Sequence, residues 1–356
     1  MVMNMLDLLK QLCEINGASG DEDRVAEFLL SHINSHINLN STVIRRDFPG
    51  NLLVFKKGKS TPQKTVMFAA HMDEVGFIVT DITKDGFLRF APVGGINANA
   101  VFGRRVVVNS KGDDRIVGVI AGKPVHLLSD KEKNSQPKIE DLFIDIGACD
   151  KSQAEAIVAP GDYCYFIGNF DELNSERNCN DLIRAKAIDN RLGCAIMLDM
   201  LKQELEYDCV FAFTVQEEIG CRGAAAAAFN LEPDICVVLE ATTACDTAGV
   251  EDGDKVCELG GGAVVSFMDK GTVYDRELYN ITLETAKENN IKTQTKSKIV
   301  GGNDASIIHK SMGGIRTIAV SAPCRYIHTP FCMASIGDIN GMRTLAGQLL
   351  CKFAKL

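Results

Sequence analysis

Five short stretches carry the side chains that could do chemistry. The first is AAHMDEVG, where His71 and Asp73 follow the apolar run TVMFAA at 65–70. A His-x-Asp pair can bind a metal through one imidazole nitrogen while the carboxylate holds the other N–H and fixes the tautomer. Taken alone the pattern is weak, because a polar turn looks the same. The second is KAIDNRLGC, with Asp189 at the mouth of a helix. Its two oxygens could each meet a different metal, or the residue could simply cap the helix. The third is FTVQEEIGCRGA, with Glu217 and Glu218 after CVFAFTV. Two adjacent carboxylates repel one another, so solvent, a basic partner or a cation must compensate. One could bind a metal while the other serves as general base; an acidic helix entry is the alternative. The fourth is VVLEATTACD, with Glu240 after ICVVL and Asp246 further on. The fifth is CRYIHTP, with His328 in a loop before Pro330.

Mixed imidazole and carboxylate donors suit zinc, cobalt or manganese, and a shared carboxylate suits two metals about 3.5–4 Å apart. The chain has 6 His. His32 and His36 have i, i+4 spacing, but no Glu stands between them as in H-E-x-x-H, so they read as a solvated face. His126 and His309 read as structural.

These groups need elements to hold them. The runs 65–70, 209–215 and 235–239 are apolar but for Thr65 and Thr214, as strands buried on both faces are. A further run at 315–320 follows a helix candidate at 304–311. Helices are expected at 4–15, 189–205, 222–229 and 274–289, with another at 21–33 opened by a Ser19/Glu22 capping box. Strand pieces at 42–47 and 51–55 flank a Pro49-Gly50 turn. Alternating strands and helices predict an α/β fold, with a mostly parallel or mixed sheet sandwiched by helices. Ligands in such sheets bind outside the carboxyl ends of the strands, where the five stretches fall. From about 76 to 168 the texture changes to short strands and turns without a strong helix, which predicts an inserted small β-barrel or sandwich. The expected division is therefore 1–75 and 169–356 for the catalytic α/β part and 76–168 for the insertion.

Composition narrows the chemistry. The chain has 356 residues, enough for two domains. A net charge of -9 argues against a nucleic-acid partner, and aromatics at 6% with no Trp supply few stacking platforms. A glycosidase reading lacks a carboxylate pair flanking a sugar. The 13 Cys form no C-x-x-C pair. The first residues lack a secretory pattern, and no apolar run reaches the length of a membrane span. A reducing cytoplasm is the expected setting.

The ordered motifs AAHMDEVGFIV, KAIDNRLGC, VQEEIGCRGA, LEATTACD, GGNDASIIH and CRYIHTP resemble those of the tetrahedral (TET) and glutamyl aminopeptidase family of cocatalytic metallopeptidases. The resemblance spans nearly the whole chain. It implies that His71, Asp189 and Glu240 hold one divalent metal and that Asp189, Glu218 and His328 hold the other, with Asp189 bridging. It implies Glu217 as general base and Asp73 as the support of His71. Many relatives have Asp where this chain has Glu240, which lengthens that arm. The implied metals are two zinc or cobalt ions, with manganese as a third option, and the implied substrates are short peptides cleaved from the N-terminus. The resemblance also implies a PDZ-like insertion that makes dimers, and a dodecamer built from them. Gly301-Gly302-Asn303-Asp304 reads as a tight turn and helix cap. The rival activities are a two-metal carboxypeptidase, dipeptidase or deacetylase. For these, Arg105, Arg191 or Arg325 would grip a substrate carboxylate.

Overall fold

The computed structural model describes residues 4–109, 115–173 and 181–356. Helices α1 (Met5–Glu14) and α2 (Asp23–His36) lead into strands β1 (Thr42–Arg46), β2 (Leu52–Lys56) and β3 (Val66–His71). Next come β4 (Gly76–Ile82), β5 (Leu88–Val93), α3 (Ala98–Val101), β6 (Arg105–Asn109), β7 (Arg115–Ala121), α4 (Asp130–Lys133), β8 (Phe143–Asp145), α5 (Lys151–Glu155) and β9 (Tyr163–Phe166). The chain then runs through β10 (Asp171–Leu173), β11 (Leu182–Ala185), α6 (Ile188–Lys202), β12 (Cys209–Thr214), α7 (Arg222–Leu231) and β13 (Ile235–Thr243). It ends with β14 (Ala263–Val265), α8 (Arg276–Glu288), β15 (Thr293–Thr295), α9 (Ala305–Ile308), β16 (Arg316–Arg325), β17 (Cys332–Ser335) and α10 (Ile336–Phe353).

Among the described residues, one 11-stranded mixed sheet has the order β1-β2-β12-β3-β13-β16-β17-β11-β10, with β14 and β15 branching from β16. The central neighbours β12, β3, β13 and β16 run parallel. Every residue of β3 and β12 is buried, which explains why their sequences show no polar alternation. Phe68 and Phe211 stack across the pair with centroids 5.9 Å apart. Each such fully buried side chain contributes about 1.5–3 kcal/mol of burial energy. Helix α1 turns Leu8, Leu9 and Leu12 inward, and Asn4 caps it by accepting from the Asp7 N–H at 2.9 Å.

Strands β4 to β9 close a second sheet into a barrel, order β4-β5-β8-β7-β6-β9, in which every pairing is antiparallel. Phe77 fills its centre, edge-on to Phe90 at 5.1 Å and to Phe166 at 5.0 Å. The α/β class with a small inserted barrel thus holds. Among the described residues, no helix is long and apolar enough to cross a membrane, and every described cysteine is a free thiol.

Local expectations fail where distant partners intervene. The Ser19/Glu22 capping box is absent. Helix α2 starts at Asp23 with no side-chain cap. Ser19 instead donates to Asp73 Oδ2 at 2.5 Å, and Glu22 Oε1 accepts from the backbone of Gly20 at 2.9 Å and Gln216 at 3.0 Å. His32 is buried rather than solvated, stacked on His36 at 4.3 Å. Strand β13 continues past 239 to Thr243 because its parallel pairing with β16 persists to Thr243 opposite Cys324. Glu240 therefore sits within that strand, not after it. The helix expected at 304–311 is a single short turn, α9.

Candidate active site

The four central parallel strands deliver their carboxyl ends to one place. His71 ends β3, Glu217 and Glu218 follow β12, Glu240 lies near the end of β13, and His328 follows β16. Asp189 enters from the start of α6, where it and Asn190 keep non-helical backbone across a cis peptide. It does not cap the helix. All five residues with proposed metal roles, and Glu217 with them, line one cavity of about 510 Å³. That volume is in the range of small-ligand sites, roughly 300–1,000 Å³.

Asp189 stands between the two imidazoles. Its Oδ1 is 3.3 Å from His71 Nε2, and its Oδ2 is 3.4 Å from His328 Nε2. Glu240 Oε2 is 3.6 Å from His71 Nε2, and Glu218 Oε2 is 3.3 Å from His328 Nε2. Charge-assisted hydrogen bonds are shorter, about 2.7–2.9 Å. Two donors sharing a tetrahedral cation at about 2.0–2.2 Å stand about 3.3–3.6 Å apart. The four spacings match the second geometry. Two donor groups, His71–Asp189–Glu240 and Asp189–Glu218–His328, could each hold a metal ion.

The imidazoles are fixed from behind. His71 Nδ1 lies 3.1 Å from the Asp73 carbonyl and 3.4 Å from its carboxylate. His328 Nδ1 lies 2.7 Å from the Gly95 carbonyl in the loop after β5. With Nδ1 donating, each Nε2 either donates its own proton to the carboxylates or turns a lone pair toward a cation shared with them. Asp73 does more than support His71. Its carboxylate accepts from the backbone N–H groups of Glu217 and Glu218, both at 3.1 Å, and so sets the loop that carries them. Gln216 (φ 57), next to Glu217, and His328 itself (φ 61) adopt left-handed backbone. Such positions cost of order 1–3 kcal/mol and cluster at functional sites.

Electrostatics favour added positive charge. Burial pushes the Glu218 carboxyl up to about 8, helped by Asp189, and burial likewise pushes Glu240 up to about 8. Burial also raises Glu217 well above the carboxylate range, with Glu240, Asp304 and Glu218 adding and His71 opposing. Burial disfavours a proton on His328, but Asp189 and Glu218 outweigh it and raise its pKa to about 9. His71 follows the same balance, burial against Glu240, Asp189 and Asp73, and ends well above its usual value. Each of these shifts favours an added proton, and a cation would supply the same positive charge. Glu218 Oε1 is a buried oxygen with no hydrogen-bond partner. The donor set, its spacing and this orphaned oxygen all fit divalent cations.

Several neighbours were invisible in the linear pattern. Asp304, read as a turn and cap, is fully buried and accepts from Thr214 Oγ1 at 2.5 Å. Asn303 does the local capping, taking the Ala305 N–H at 2.9 Å. Glu74 anchors the loop after β3 through Lys186 Nζ at 2.6 Å and the Gly17 N–H at 3.2 Å. Of the three arginines proposed to grip a carboxylate, none lines the cavity. Arg191 is buried on the carbonyls of Leu12, Ile15 and Gly17. Arg325 pairs with Asp246, and Arg105 lies on the barrel strand β6. Asp246 is thereby committed away from the site.

In class, this is an α/β protein with a candidate active site at the switch region of its central parallel strands. The M42 glutamyl aminopeptidase family model matches residues 50–345. The chain is 33% identical over 355 residues to the glutamyl aminopeptidase of Lactococcus lactis subsp. cremoris, covering 98% of this chain and 96% of that one. It is 30% identical over 349 residues to the lysyl aminopeptidase of Pyrococcus furiosus, covering 97% and 96%. Its fold matches that of the Pyrococcus horikoshii TET1 peptidase, described as able to assemble into a tetrahedron or a large octahedral shell, with a TM-score of 0.82 and 32% identity over 97% of this chain and 99% of that one. The chain belongs to the M42 glutamyl aminopeptidase family and is a peptidase.

Proposed function

We propose that the chain is a two-metal aminopeptidase that removes N-terminal residues from short peptides. The observation that carries this reading is the set of donor spacings around Asp189, two on each side of one carboxylate. In it, His71, Asp189 and Glu240 hold one cation, and Asp189, Glu218 and His328 hold the other. The cations are zinc or cobalt, with manganese also suited to this donor set. When bound, such a pair supplies Lewis acidity and an acidified water. Glu217 Oε2, 4.0 Å from His71 Nε2, takes the proton of the attacking water and passes it to the leaving amine. Asp73 holds the His71 ring and the Glu217–Glu218 backbone in register while this happens. The acidic wall can receive the free amine of the substrate, which accounts for exopeptidase action.

A peptide with a free amine should be cleaved, its N-acetylated twin should not, and a chelator should abolish the activity. Cleavage of the blocked peptide alone would replace this reading with a deacetylase or carboxypeptidase. Activity indifferent to chelation would remove the metal reading altogether.

The preferred first residue follows from charge. Relatives bear both glutamyl and lysyl names, so family membership does not set it. Lys270 and Lys296 line the same cavity, and Lys296 is buried with Nζ donating to the Val300 carbonyl at 2.6 Å. We assign them to the recognition of acidic N-terminal side chains. Peptides beginning with Glu or Asp should turn over faster than those beginning with Lys. Replacing both residues by Met should cut the acidic-over-neutral ratio of kcat/KM by roughly tenfold, equivalent to about 1.4 kcal/mol. An unchanged ratio would show that the selectivity lies elsewhere.

We further assign 1–75 and 169–356 to the catalytic part and 76–168 to an inserted part through which copies pair. Dimers assembling into a dodecamer, working in the cytoplasm, complete the proposal.

A further inference from the structure

A second donor set lies behind Glu217. While Oε2 of that residue faces His71, its Oε1 lies 3.5 Å from Cys221 Sγ. Cys221 opens α7 in a left-handed conformation (φ 53), is 8% exposed and lines the same cavity. Asp304 is fully buried. Its Oδ2 is occupied by Thr214, whereas its Oδ1 has no hydrogen-bond partner. Donor atoms of Glu217, Cys221 and Asp304 all lie within 4.8 Å of one another. Ser306 Oγ, 3.6 Å from Cys221 Sγ, steadies the sulfur from the other side. An orphaned carboxylate oxygen, a thiol and a carboxylate converging at one point are costly to bury unless something positive joins them.

We propose that Glu217, Cys221 and Asp304 form a third cation site, selective for thiophilic divalent ions, whose occupation takes Glu217 out of proton transfer. Soft thiolate favours zinc, cadmium or cobalt over magnesium or manganese, because the polarisable sulfur binds borderline and soft ions best. Binding exchanges the thiol proton for the metal: the S–H bond breaks, an S–metal bond forms and the proton leaves to water, with no change of oxidation state. The inhibitory half of the proposal rests on Glu217 being the general base; the binding half does not. The site makes the peptidase self-limiting in excess zinc or cobalt, since the ions proposed to activate it at low concentration would stop it at high concentration.

The test is a cobalt titration of the metal-stripped full-length protein, followed by absorption and by activity. Sites built from imidazole and carboxylate give no thiolate-to-cobalt charge-transfer absorption. In the unmodified protein that absorption should appear with a third equivalent, and activity should fall in step. Cys221→Ala and Cys221→Ser should each lose the absorption and the third equivalent, keep the first two, and raise the inhibitory cobalt concentration by at least roughly tenfold. Cys149 and Cys245 are exposed, so the difference between unmodified and substituted protein is what counts. Absorption that survives in both variants, or no third equivalent in the unmodified protein, overturns the site. A third equivalent that binds with its absorption but leaves turnover untouched overturns the inhibitory mechanism. Because the binding readout needs no turnover, an error in the assignment of Glu217 as base would be seen separately.

Discussion

Glu217→Gln is expected to keep its fold and the two cations that share Asp189 while losing about 10²–10⁴-fold in kcat. The amide matches the carboxylate in shape, and Glu217 belongs to neither of the two donor groups that share Asp189. What disappears is the only proton acceptor proposed to face the attacking water. KM should change little, because the residue acts on the reacting proton and not on the bound peptide. Steady-state kinetics with elemental analysis of the same sample checks both halves. Turnover near the unmodified rate would move the base to another carboxylate. Loss of either cation of the Asp189 pair together with turnover would recast Glu217 as a ligand of that pair.

Asp189→Ala is expected to have the wider effect. One carboxylate meets both imidazoles, at 3.3 Å and 3.4 Å. Its removal takes one donor from each proposed cation at once. It also strips His328 of the partner that, after burial has worked against it, does most to hold it charged, and it strips His71 of a partner second to Glu240 in the same role. Loss of an outer-shell partner alone costs roughly 10–100-fold in metal affinity or activity; loss of a shared ligand should exceed that. Metal content should fall toward zero at both positions, with activity below detection. Retention of two tightly bound ions would contradict the shared role of Asp189, whatever the activity.

Much of this site was readable in the linear chain because its parts obey local rules. TVMFAA and CVFAFTV are apolar but for one Thr each, as strands covered on both faces are, and the polar residues that follow each run are delivered to the mouth of the sheet. What stayed hidden depends on partners far away in sequence. Ser19 and Glu22 have the spacing of a capping box, yet Ser19 finds Asp73, 54 residues on, and Glu22 finds Gln216, 194 residues on. A side chain with a strong distant acceptor does not remain at its own helix. Asp304 looks like any residue after two glycines; only the fold brings Thr214 and Cys221 against it. His32 has a polar name but an apolar place on α2, and sequence periodicity could not say that His36 and Phe28 would stack on it. The length of β13 was unreadable for the same reason, since its last residues are strand only because β16 runs alongside.

The loop after β5 binds the fates of the two sheets together. Gly94 has φ 90, and a Cβ there would come within 2.8 Å of Val75 and 3.2 Å of Glu218, so the backbone can press against the catalytic wall only without a side chain. One residue later, the Gly95 carbonyl holds the His328 ring. Tyr165 of β9 adds a hydroxyl bonded to the Asp21 carboxylate just before α2. A gene trimmed of the barrel would therefore not encode a smaller working enzyme. It would encode a scaffold whose second imidazole swings on an unbraced hinge, and evolution could discard the barrel only by first finding His328 another brace.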